Sequence, residues 1–517
     1  MTASNLSRYF LPLLLLAAGS GCGILHPYGR PDATTTGLYR DVAPTDTTTL
    51  ATRPWQQLFT DPFLQKLIAE GLANNRNLQV ADARIAQAQA LLAQSRAAFL
   101  PSLNGRATTT LSRQGGTLVS TGTGGSTTTT GTGGTTGTGG TGTPGTPTTP
   151  GTPTAPGTPG TPTTGTTTTD QSTIVTGGAA HQYLLGLSSS WEADVWGKLR
   201  STRRAYAANV LQSEAYRRVV QTQLIADIAD NYYALLALDN QLAITRQTVQ
   251  NRIKDVEVLK LLLEGDVVNG ADVAQSEAQR YAVEVTIPDL QRNIRQAENL
   301  LATLLGRTPG PIERSTLAAQ APAPALLTGV PSQLLRNRPD VQQAEYVFAT
   351  AFEQSNAART YFYPSFTVTA NGGLTSTTIQ NLFSPTAIFA SVVGGLTQPI
   401  FNQGLNRLRL NRSLALQQEY LYTYQQTMFT AGQEVSNALF SYQSAADKMQ
   451  IRAHQLEALE RAVDYTHELL RAGFANYTDV LTAQQSLLQA QLNSVNDQLQ
   501  QRQAVTDLYH ALGGGWR

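Results

Sequence analysis

The chain repeats one pattern twice, and this duplication restricts its possible folds more than any other feature. The segment "NLQVADARIAQAQALLAQSRAAFLPSL" from Asn77 corresponds to "DVQQAEYVFATAFEQSNAARTYFYPSF" from Asp340, at an offset of about 263 residues. Further on, "LLEGDVVNGADVAQSEAQ" from Leu262 parallels "LLRAGFANYTDVLTAQQS" from Leu469, at an offset of only about 205 to 208 residues. The fold must therefore be assembled from two similar units.

The change in offset places about 55 extra residues in the first unit, between Pro101 and Trp191. A tract of Thr, Gly and Pro from Thr121 to Asp170 occupies this interval. Without apolar side chains such a tract cannot offset the entropy of ordering its backbone. We predict a disordered loop insert over residues 112–180.

Each unit begins with a helical pattern and changes at a Pro-Ser step to a period of two. No Gly or Pro lies between Asn74 and Pro101, whereas after Pro364 the segment "SFTVTANGGL" alternates apolar and polar residues. Three further segments alternate in the same way: "SLNGRATTTL" from Ser102, "QYLLGLSSSWEADVW" from Gln182 and "ASVVGGLTQ" from Ala390. Strands of about ten residues with one apolar face are typical of transmembrane β-barrels. A single strand of this kind would equally fit a hairpin on a soluble core.

Long helices follow the strands. From about Leu199 to Leu263 the sequence lacks Pro, which predicts a rod of about 60 residues, or about 90 Å. Apolar residues of the second unit recur every seven residues in two stripes. The first stripe is Leu414, Leu421, Met428 and Val435, and the second is Leu408, Ala415, Tyr422 and Phe429. Two stripes indicate neighbours on two sides. Taken alone, the pattern favours a long antiparallel coiled coil.

Each long helix ends at a glycine-containing turn, and a second long helix returns to about Leu305 or Leu512. The predicted fold class is mostly α with a small β part, in which long antiparallel helical hairpins accompany four strands. Four strands cannot close a membrane barrel, because about eight are the observed minimum. An open sheet edge in lipid leaves backbone groups unpaired at several kcal/mol each. Identical copies must therefore pool their strands.

The N-terminus predicts export. An apolar run, "YFLPLLLLAAGSGCG", follows Arg8 and is too short to span a bilayer, which indicates a signal peptide over residues 1–21. The only cysteine of the chain, Cys22, ends this run and resembles the lipidated cysteine of a bacterial lipoprotein, although Gly19 stands where a large aliphatic residue is usual. No later apolar run is long enough for a transmembrane helix.

Charge and motifs exclude other classes of function. The formal net charge is +1, from 37 basic and 36 acidic residues, which argues against nucleic-acid binding. The sequence contains no nucleophile or nucleotide-binding motif, and the histidines show no metal-ligand spacing: His26, His181, His454, His467 and His510. We therefore expect no enzyme activity, metal or cofactor.

The duplication, the Pro-Ser steps, "WEADVWGKLR" from Trp191 and the ending "LYHALGGGW" together resemble the outer membrane factor family, the TolC-like exit ducts, and especially its NodT-like efflux lipoproteins. The resemblance covers about Trp55 to Trp516 apart from the insert. It implies a homotrimer with a twelve-stranded transmembrane β-barrel and a periplasmic α-barrel. It also implies a lipid-anchored place in the outer membrane, and docking to a periplasmic adaptor and an inner-membrane pump, most often of the RND type. The insert would then be extracellular.

The resemblance also organises the chain into segments. They are the signal peptide 1–21, a lipidated linker 22–54, a first repeat 55–310 that contains the insert, an inter-repeat linker 311–332 and a second repeat 333–517. Two other functions stay open at this point. The same fold serves as a duct for type I protein secretion, and a structural envelope lipoprotein without a pore would share the coiled-coil pattern.

By resemblance, the two helical turns form the periplasmic tip that contacts the adaptor and closes the pore. The residues expected at this tip are Gly265, Asn269, Gly473, Asn476, Tyr477 and Thr478. Gly265 and Gly473 would allow the chain to reverse. Family members often narrow the pore with acidic residues, and Thr482 stands where an Asp is frequent. Asp272 and Asp479 are the alternative candidates for the constriction, and each would also suit a helix N-cap.

Overall fold

The structure is a computed structural model that describes residues 25–31, 38, 49–113, 179–266, 268–320 and 333–516. The predicted signal peptide, Cys22, most of the Thr/Gly/Pro insert and most of the linker 311–332 lie outside the described residues.

The first half contains helices on both sides of a pair of strands. Three helices come first: α1 (Trp55–Leu58), α2 (Pro62–Asn74) and α3 (Arg76–Ala97). The strands are β1 (Ser102–Arg113) and β2 (Ala179–Ala193). Three helices then follow: α4 (Lys198–Glu264), α5 (Gly270–Glu284) and α6 (Thr286–Leu304).

The second half repeats this order. It consists of α7 (Leu334–Asn337), α8 (Pro339–Thr360), β3 (Ser365–Ser376), β4 (Ile388–Thr397), α9 (Leu405–Arg471) and α10 (Tyr477–Ala511). The two long helices, α4 and α9, each have 67 residues. This confirms the predicted fold class of long helical hairpins with a small β part.

The return helix differs between the halves. In the second half α10 is continuous over 35 residues, whereas the first half has two helices that meet at Val285. Pro288 accounts for this break, because a proline has no N–H to donate and its ring clashes with the carbonyl four residues earlier. That carbonyl belongs to Glu284, the last residue of α5.

The four predicted strands form one sheet in the order β1-β2-β3-β4, so that β1 and β4 are its edges. Strand β2 ends at Ala193, three residues before the end of the alternating segment at Trp196. Large apolar side chains on these strands are exposed in the single chain: Leu103, Leu111, Leu185, Leu187, Ile388, Val392 and Leu396. The apolar face of the sheet is therefore not covered by the core of the protomer.

The chain divides into two compact units. The larger unit comprises Met1–Ser102, Ser190–Thr369 and Val393–Arg517, and it holds every α-helix of the described residues together with the strand ends. The smaller unit comprises Leu103–Ser189 and Ala370–Val392, and it holds the central parts of the strands.

The main core of the larger unit lies around the middle of α4. Ile228, Tyr232 and Leu235 are fully buried there and pack with residues of α2, α9 and α10. No helix within the described ranges is long and apolar enough to cross a membrane.

The C-terminal "LGGGW" completes this core. A side chain on Gly514 would collide with the Tyr509 ring, and a side chain on Gly513, which has φ 84°, would collide with the Asn337 backbone. The Tyr509 hydroxyl donates to the Arg53 carbonyl at 2.8 Å, and Trp516 Nε1 donates to the Asn337 carbonyl at 2.8 Å. The glycines are thus required by close backbone packing that ties the C-terminus to both halves.

Candidate functional site: helical turns, strand junctions and an exposed stripe

Two chain reversals carry most of the residues that the sequence singled out. The first helical turn, residues 265–269, joins α4 to α5, and the second helical turn, residues 472–476, joins α9 to α10.

In the first helical turn the left-handed residue is Asp266, with φ 55°, whereas Gly265 has φ −91°. The expectation that Gly265 supplies the reversal is therefore wrong. Asn269 is the N-cap of α5, and its Oδ1 accepts from the N–H groups of Ala271 and Asp272 at 2.9 and 3.1 Å. Asp272 Oδ2 accepts in return from the Asn269 N–H at 3.2 Å. This reciprocal capping box satisfies backbone donors that the first turn of a helix leaves free.

The second helical turn uses the same device. Gly473 has φ 77°, a conformation that glycine adopts without strain. Asn476 is the N-cap of α10, and Asp479 Oδ2 accepts from the Asn476 N–H at 3.1 Å. Asp272 and Asp479 therefore occupy the N3 positions of the two capping boxes. The expectation that each of them is itself an N-cap is wrong.

The two helical turns share a small apolar cluster, which we call the turn cluster. Its buried members come from α4, α5 and α10: Leu259, Val273, Tyr477, Val480 and Leu481. The Tyr477 hydroxyl lies 3.1 Å from Ser276 Oγ on α5, and burial raises the pKa of this tyrosine. Tyr477 therefore holds α10 against α5 and has little surface left for a partner.

Most of the other predicted tip residues lie at the surface. Gly265, Asn269, Gly473, Asn476, Thr478, Asp479 and Thr482 are exposed and Asp272 is half-buried. The Thr482 hydroxyl donates to the Thr478 carbonyl at 2.9 Å, which is a local helix contact. Sequence reasoning missed Phe474, which is 83% exposed in the second helical turn. The signal was available, because an aromatic residue next to the glycine of a polar turn has no local packing partner.

The motif "WEADVWGKLR" builds the junction between β2 and α4. Trp191 Nε1 donates to the Phe99 carbonyl at 2.9 Å, and Trp196 Nε1 donates to the Pro364 carbonyl at 2.7 Å. Each tryptophan therefore contacts the chain beside one of the two Pro-Ser steps. Trp196 also packs on Tyr363, with ring centroids 5.1 Å apart.

Charged residues of this motif fix the start of α4. Asp194 accepts from the N–H groups of Leu199 and Arg200 at 2.9 and 3.0 Å, and also from Arg200 Nε at 3.0 Å. Lys198 pairs with Glu192 at 3.0 Å. The motif on which the resemblance rested is therefore a strand-to-helix joint, whose charges cap a helix that begins after Gly197 at φ 81°.

Helix α9 presents an apolar stripe to the outside of the single chain. We call it the α9 stripe: Leu408, Tyr422, Phe429, Phe440 and Ile451 are all exposed. Their spacings are multiples of seven and eleven residues, which are close to whole numbers of helical turns. Met428 and Val435, from the other predicted heptad series, are buried in the main core. The first predicted series is therefore buried only in its second half, since Leu414 is exposed and Leu421 half-buried, and the other series is left open.

No group of three or more His, Cys, Asp or Glu that could hold a metal ion occurs among the residues that the structure describes. The described histidines belong to separate surroundings. The backbone of His26 exchanges hydrogen bonds with the Asn356 side chain, His467 contacts Gln484, and His510 is buried beside Arg338.

Comparison with known proteins gives the same family along nearly the whole chain. The sequence model of the family described as "Outer membrane efflux protein" matches residues 67–136, 158–307 and 330–514. Residues 137–157, inside the Thr/Gly/Pro tract, fall between two matched segments.

Two relatives illustrate the similarity. The toluene efflux pump outer membrane protein TtgF of Pseudomonas putida is 27% identical over 526 residues, covering 99% of this chain and 98% of that protein. The probable outer membrane lipoprotein SilC of Salmonella typhimurium is 26% identical over 463 residues, covering 89% and 88%.

A solved structure supports the fold. The open state of the Neisseria gonorrhoeae MtrE outer membrane channel superposes with a TM-score of 0.76 at 24% identity, covering 96% of this chain and 99% of that chain. Since the family match spans well over half of the sequence, the chain belongs to the outer membrane efflux protein family, as an outer-membrane channel for efflux and not an enzyme.

Proposed function

We propose that three copies of this chain pool their strands into one twelve-stranded barrel, and that the resulting duct docks a periplasmic adaptor and an inner-membrane pump of the RND type to export small molecules. The observation that carries this proposal is the incomplete sheet. Four strands in the order β1-β2-β3-β4 leave β1 and β4 as edges, and their apolar side chains face outward.

Such a sheet is unstable in a bilayer as a monomer. Each unpaired N–H or C=O of an edge strand costs several kcal/mol in hydrocarbon, and pairing β4 of one copy with β1 of the next removes this cost. Closure is the physical requirement. The number three follows from the family, in which four strands per chain are shared among three copies.

The α9 stripe supports the same assembly. Its aromatic and aliphatic side chains are exposed on a different side of the helix from the buried Met428 and Val435, so the protomer's own core does not cover them. A second copy of the chain offers a surface of matching length and periodicity, because every protomer carries the same 67-residue helices.

The helical turns are the proposed docking end. Both turns are capped internally and share the turn cluster, so they present a preformed surface on which Phe474 is the largest exposed apolar side chain. An exposed aromatic residue on a rigid turn is suited to anchor a protein partner.

Cys22 is the proposed site of the lipid anchor. Leu25 lies against the junction of β2 and α4, because a side chain on Gly197 would collide with Leu25 Cδ1. Only two residues separate Cys22 from Leu25, so a lipid on Cys22 would be attached close in sequence to a residue that packs on this tryptophan-containing junction. Tryptophans are typical of membrane–water interfaces.

The assembly is tested on the α9 stripe. We expect Ile451→Glu to lower the trimer fraction of the detergent-purified protein at least about tenfold, because it places a charge in an apolar contact. Gln450→Glu is the matched control, since it adds the same charge at an exposed position one residue away. Native mass spectrometry reads the stoichiometry. A trimer fraction of Ile451→Glu equal to that of Gln450→Glu would contradict the proposed interface.

Transport is tested separately. Wild-type trimers should conduct ions in planar bilayers, and expression together with a cognate adaptor and pump should lower the susceptibility of a deletion strain to small toxic compounds. Export of a protein substrate without any change in drug susceptibility would instead support type I secretion. A soluble, non-conducting rod would support the structural lipoprotein.

A further inference from the structure

A chain of polar contacts crosses three helices a few turns away from the helical turns. Gln484 on α10 donates through Nε2 to Asp255 Oδ2 on α4 at 2.9 Å. The same Nε2 lies 3.2 Å from His467 Nε2 on α9. We call His467, Gln484 and Asp255 the cross-helix relay.

Two buried groups beside the relay have no hydrogen-bond partner among the described residues. Arg252 on α4 is only 2% exposed, and its Nε, Nη1 and Nη2 are all unpaired. Gln484 Oε1 is also buried and unpaired. A buried guanidinium without an acceptor is costly, so this arrangement of the relay is held under an energetic penalty.

The contacts define the protonation state in which this arrangement is stable. Gln484 Nε2 can donate to His467 only while Nε2 of the imidazole carries a lone pair, which requires the neutral ring. The opposite amide orientation would bring Gln484 Oε1 to the place that is 2.9 Å from Asp255 Oδ2, and two acceptors would then repel each other. The observed orientation therefore places the amide N–H2 between two acceptors, His467 Nε2 and Asp255 Oδ2.

We propose that the cross-helix relay is a proton-sensitive switch, in which protonation of His467 rotates the Gln484 amide and transfers Asp255 from Gln484 to Arg252. One proton is taken up, at His467 Nε2, and no other group changes its charge. The new N–H of His467 is then a donor for Gln484 Oε1. Asp255, released from Gln484, pairs with Arg252, which precedes it by three residues on the same helix. Gln484 Oε1 and the Arg252 guanidinium gain partners, while the Gln484 N–H2 group gives up its hydrogen bonds to Asp255 and His467.

The charges around His467 permit this exchange. Arg252 and Asp255 contribute charges from α4, and both interact electrostatically with Tyr477 of α10. On α9 itself, Asp464 and Arg471 lie three residues before and four residues after His467, and their charges compensate. Glu277 of α5 is neutralised by Lys260 at 2.8 Å. Helix α8 contacts α9 more than 30 residues earlier, through Ser355 and Gln417.

The exchange replaces a bond between helices by a bond within one helix. The Gln484–Asp255 hydrogen bond joins α10 to α4, whereas the Arg252–Asp255 pair lies entirely on α4. Acidification should therefore loosen α4 from α10 next to the turn cluster. A link to opening of the duct rests on the proposed function, but the switch itself does not.

Hydrogen–deuterium exchange on the full-length protein in detergent tests the switch. Between pH 7.5 and 5.5, after scaling for chemical exchange, peptides from residues 250–264 and 477–490 should exchange about fivefold faster, the effect of losing the one hydrogen bond that joins α4 to α10. Histidine is the side chain that changes charge across this range. His467→Gln should abolish the acceleration, and Arg252→Met, which removes the alternative partner of Asp255, should reduce it.

His454→Gln is the matched control, because His454 lies exposed on the same helix. It should keep the wild-type response, and equal exchange of all variants at pH 7.5 shows that they are folded. An acid response that persists in His467→Gln, or none in the wild type, overturns the proposal. Conductance measurements separate the failure of the two proposals. If the trimers show the acid response but never conduct ions, the proposed function is refuted and the switch stands. If the trimers conduct ions but show no acid response, the switch is refuted and the proposed function stands.

Discussion

At the scale of single residues, the least expected group is Asp230 on α4. Burial and the nearby charges of Asp507 and Asp227 together raise its pKa to about 8, against a smaller opposing effect of the hydrogen bond from Thr506. Its Oδ1 is buried and has no hydrogen-bond partner within the described part of the chain. The carboxyl therefore holds its proton in the folded protein at a pH where an unfolded chain has lost it.

This raised pKa predicts a stability that falls as the pH rises. From about pH 4 to about pH 8 the folded state binds a proton that the unfolded state has released, so the free energy of unfolding decreases across this window and the loss is complete above about pH 8. Asp230→Asn should remove most of this slope, a difference on the order of a few kcal/mol. Thermal unfolding in detergent between pH 5 and 9 measures it. Asp289→Asn, at an exposed ion pair with Arg292, should leave the slope unchanged.

At the scale of elements, periodicity and glycine or proline positions were enough to predict the long helices and all four strands. Helix α4 was expected from about Leu199 to Leu263 and spans Lys198–Glu264, because nothing in that stretch interrupts a helix. The break between α5 and α6 was not anticipated, although Pro288 was visible. The roles of Asp272 and Asp479 were misjudged for a different reason.

Those roles depend on which residue of a turn starts the helix, and the sequence "NGAD" or "NYTD" allows either Asn or Asp to do so. Tertiary contacts were equally hidden. Tyr477 was expected at the surface, but the turn cluster buries it against Ser276, more than 200 residues away in sequence. Periodicity describes one helix at a time, so it cannot tell which turn residues a neighbouring hairpin will cover.

The two helical turns allow a matched test of backbone conformation. A β-carbon added at Gly473 or at Gly270 would have no atom within 4 Å, so space does not limit an alanine at either site. Gly473 has φ 77°, and Gly473→Ala should destabilise the second helical turn by about 1–2 kcal/mol. Gly270 lies in the first turn of α5, and Gly270→Ala should stabilise it by about 0.5–1 kcal/mol. Hydrogen exchange of the two turns measures whether each substitution stabilises or destabilises its turn. Equal effects of the two substitutions would contradict the assigned backbone conformations.

At the scale of the whole molecule, duplication supplies two equivalent sets of parts, and neither set is complete. Each half contributes two strands and one 67-residue helix, yet the sheet still has two edges and α9 still has an open stripe. The features left unsatisfied in one copy are the features that a second identical copy can satisfy. An extra segment is tolerated in such a molecule only where it touches neither the strand edges nor the stripe.

The Thr/Gly/Pro tract fulfils that condition in sequence, since it lies between the end of β1 at Arg113 and the start of β2 at Ala179. Part of it, residues 137–157, also falls outside the segments that match the family. We therefore expect deletion of residues 121–170 to leave the trimer fraction and the conductance unchanged, because a polar loop without apolar side chains contributes no buried surface. Deletion of residues 183–187 from β2 is the opposite control and should abolish assembly, because it shortens a central strand of the sheet. Native mass spectrometry and planar bilayers measure both, and a tract deletion that also disperses the trimer would place these residues inside the assembly instead of at its edge.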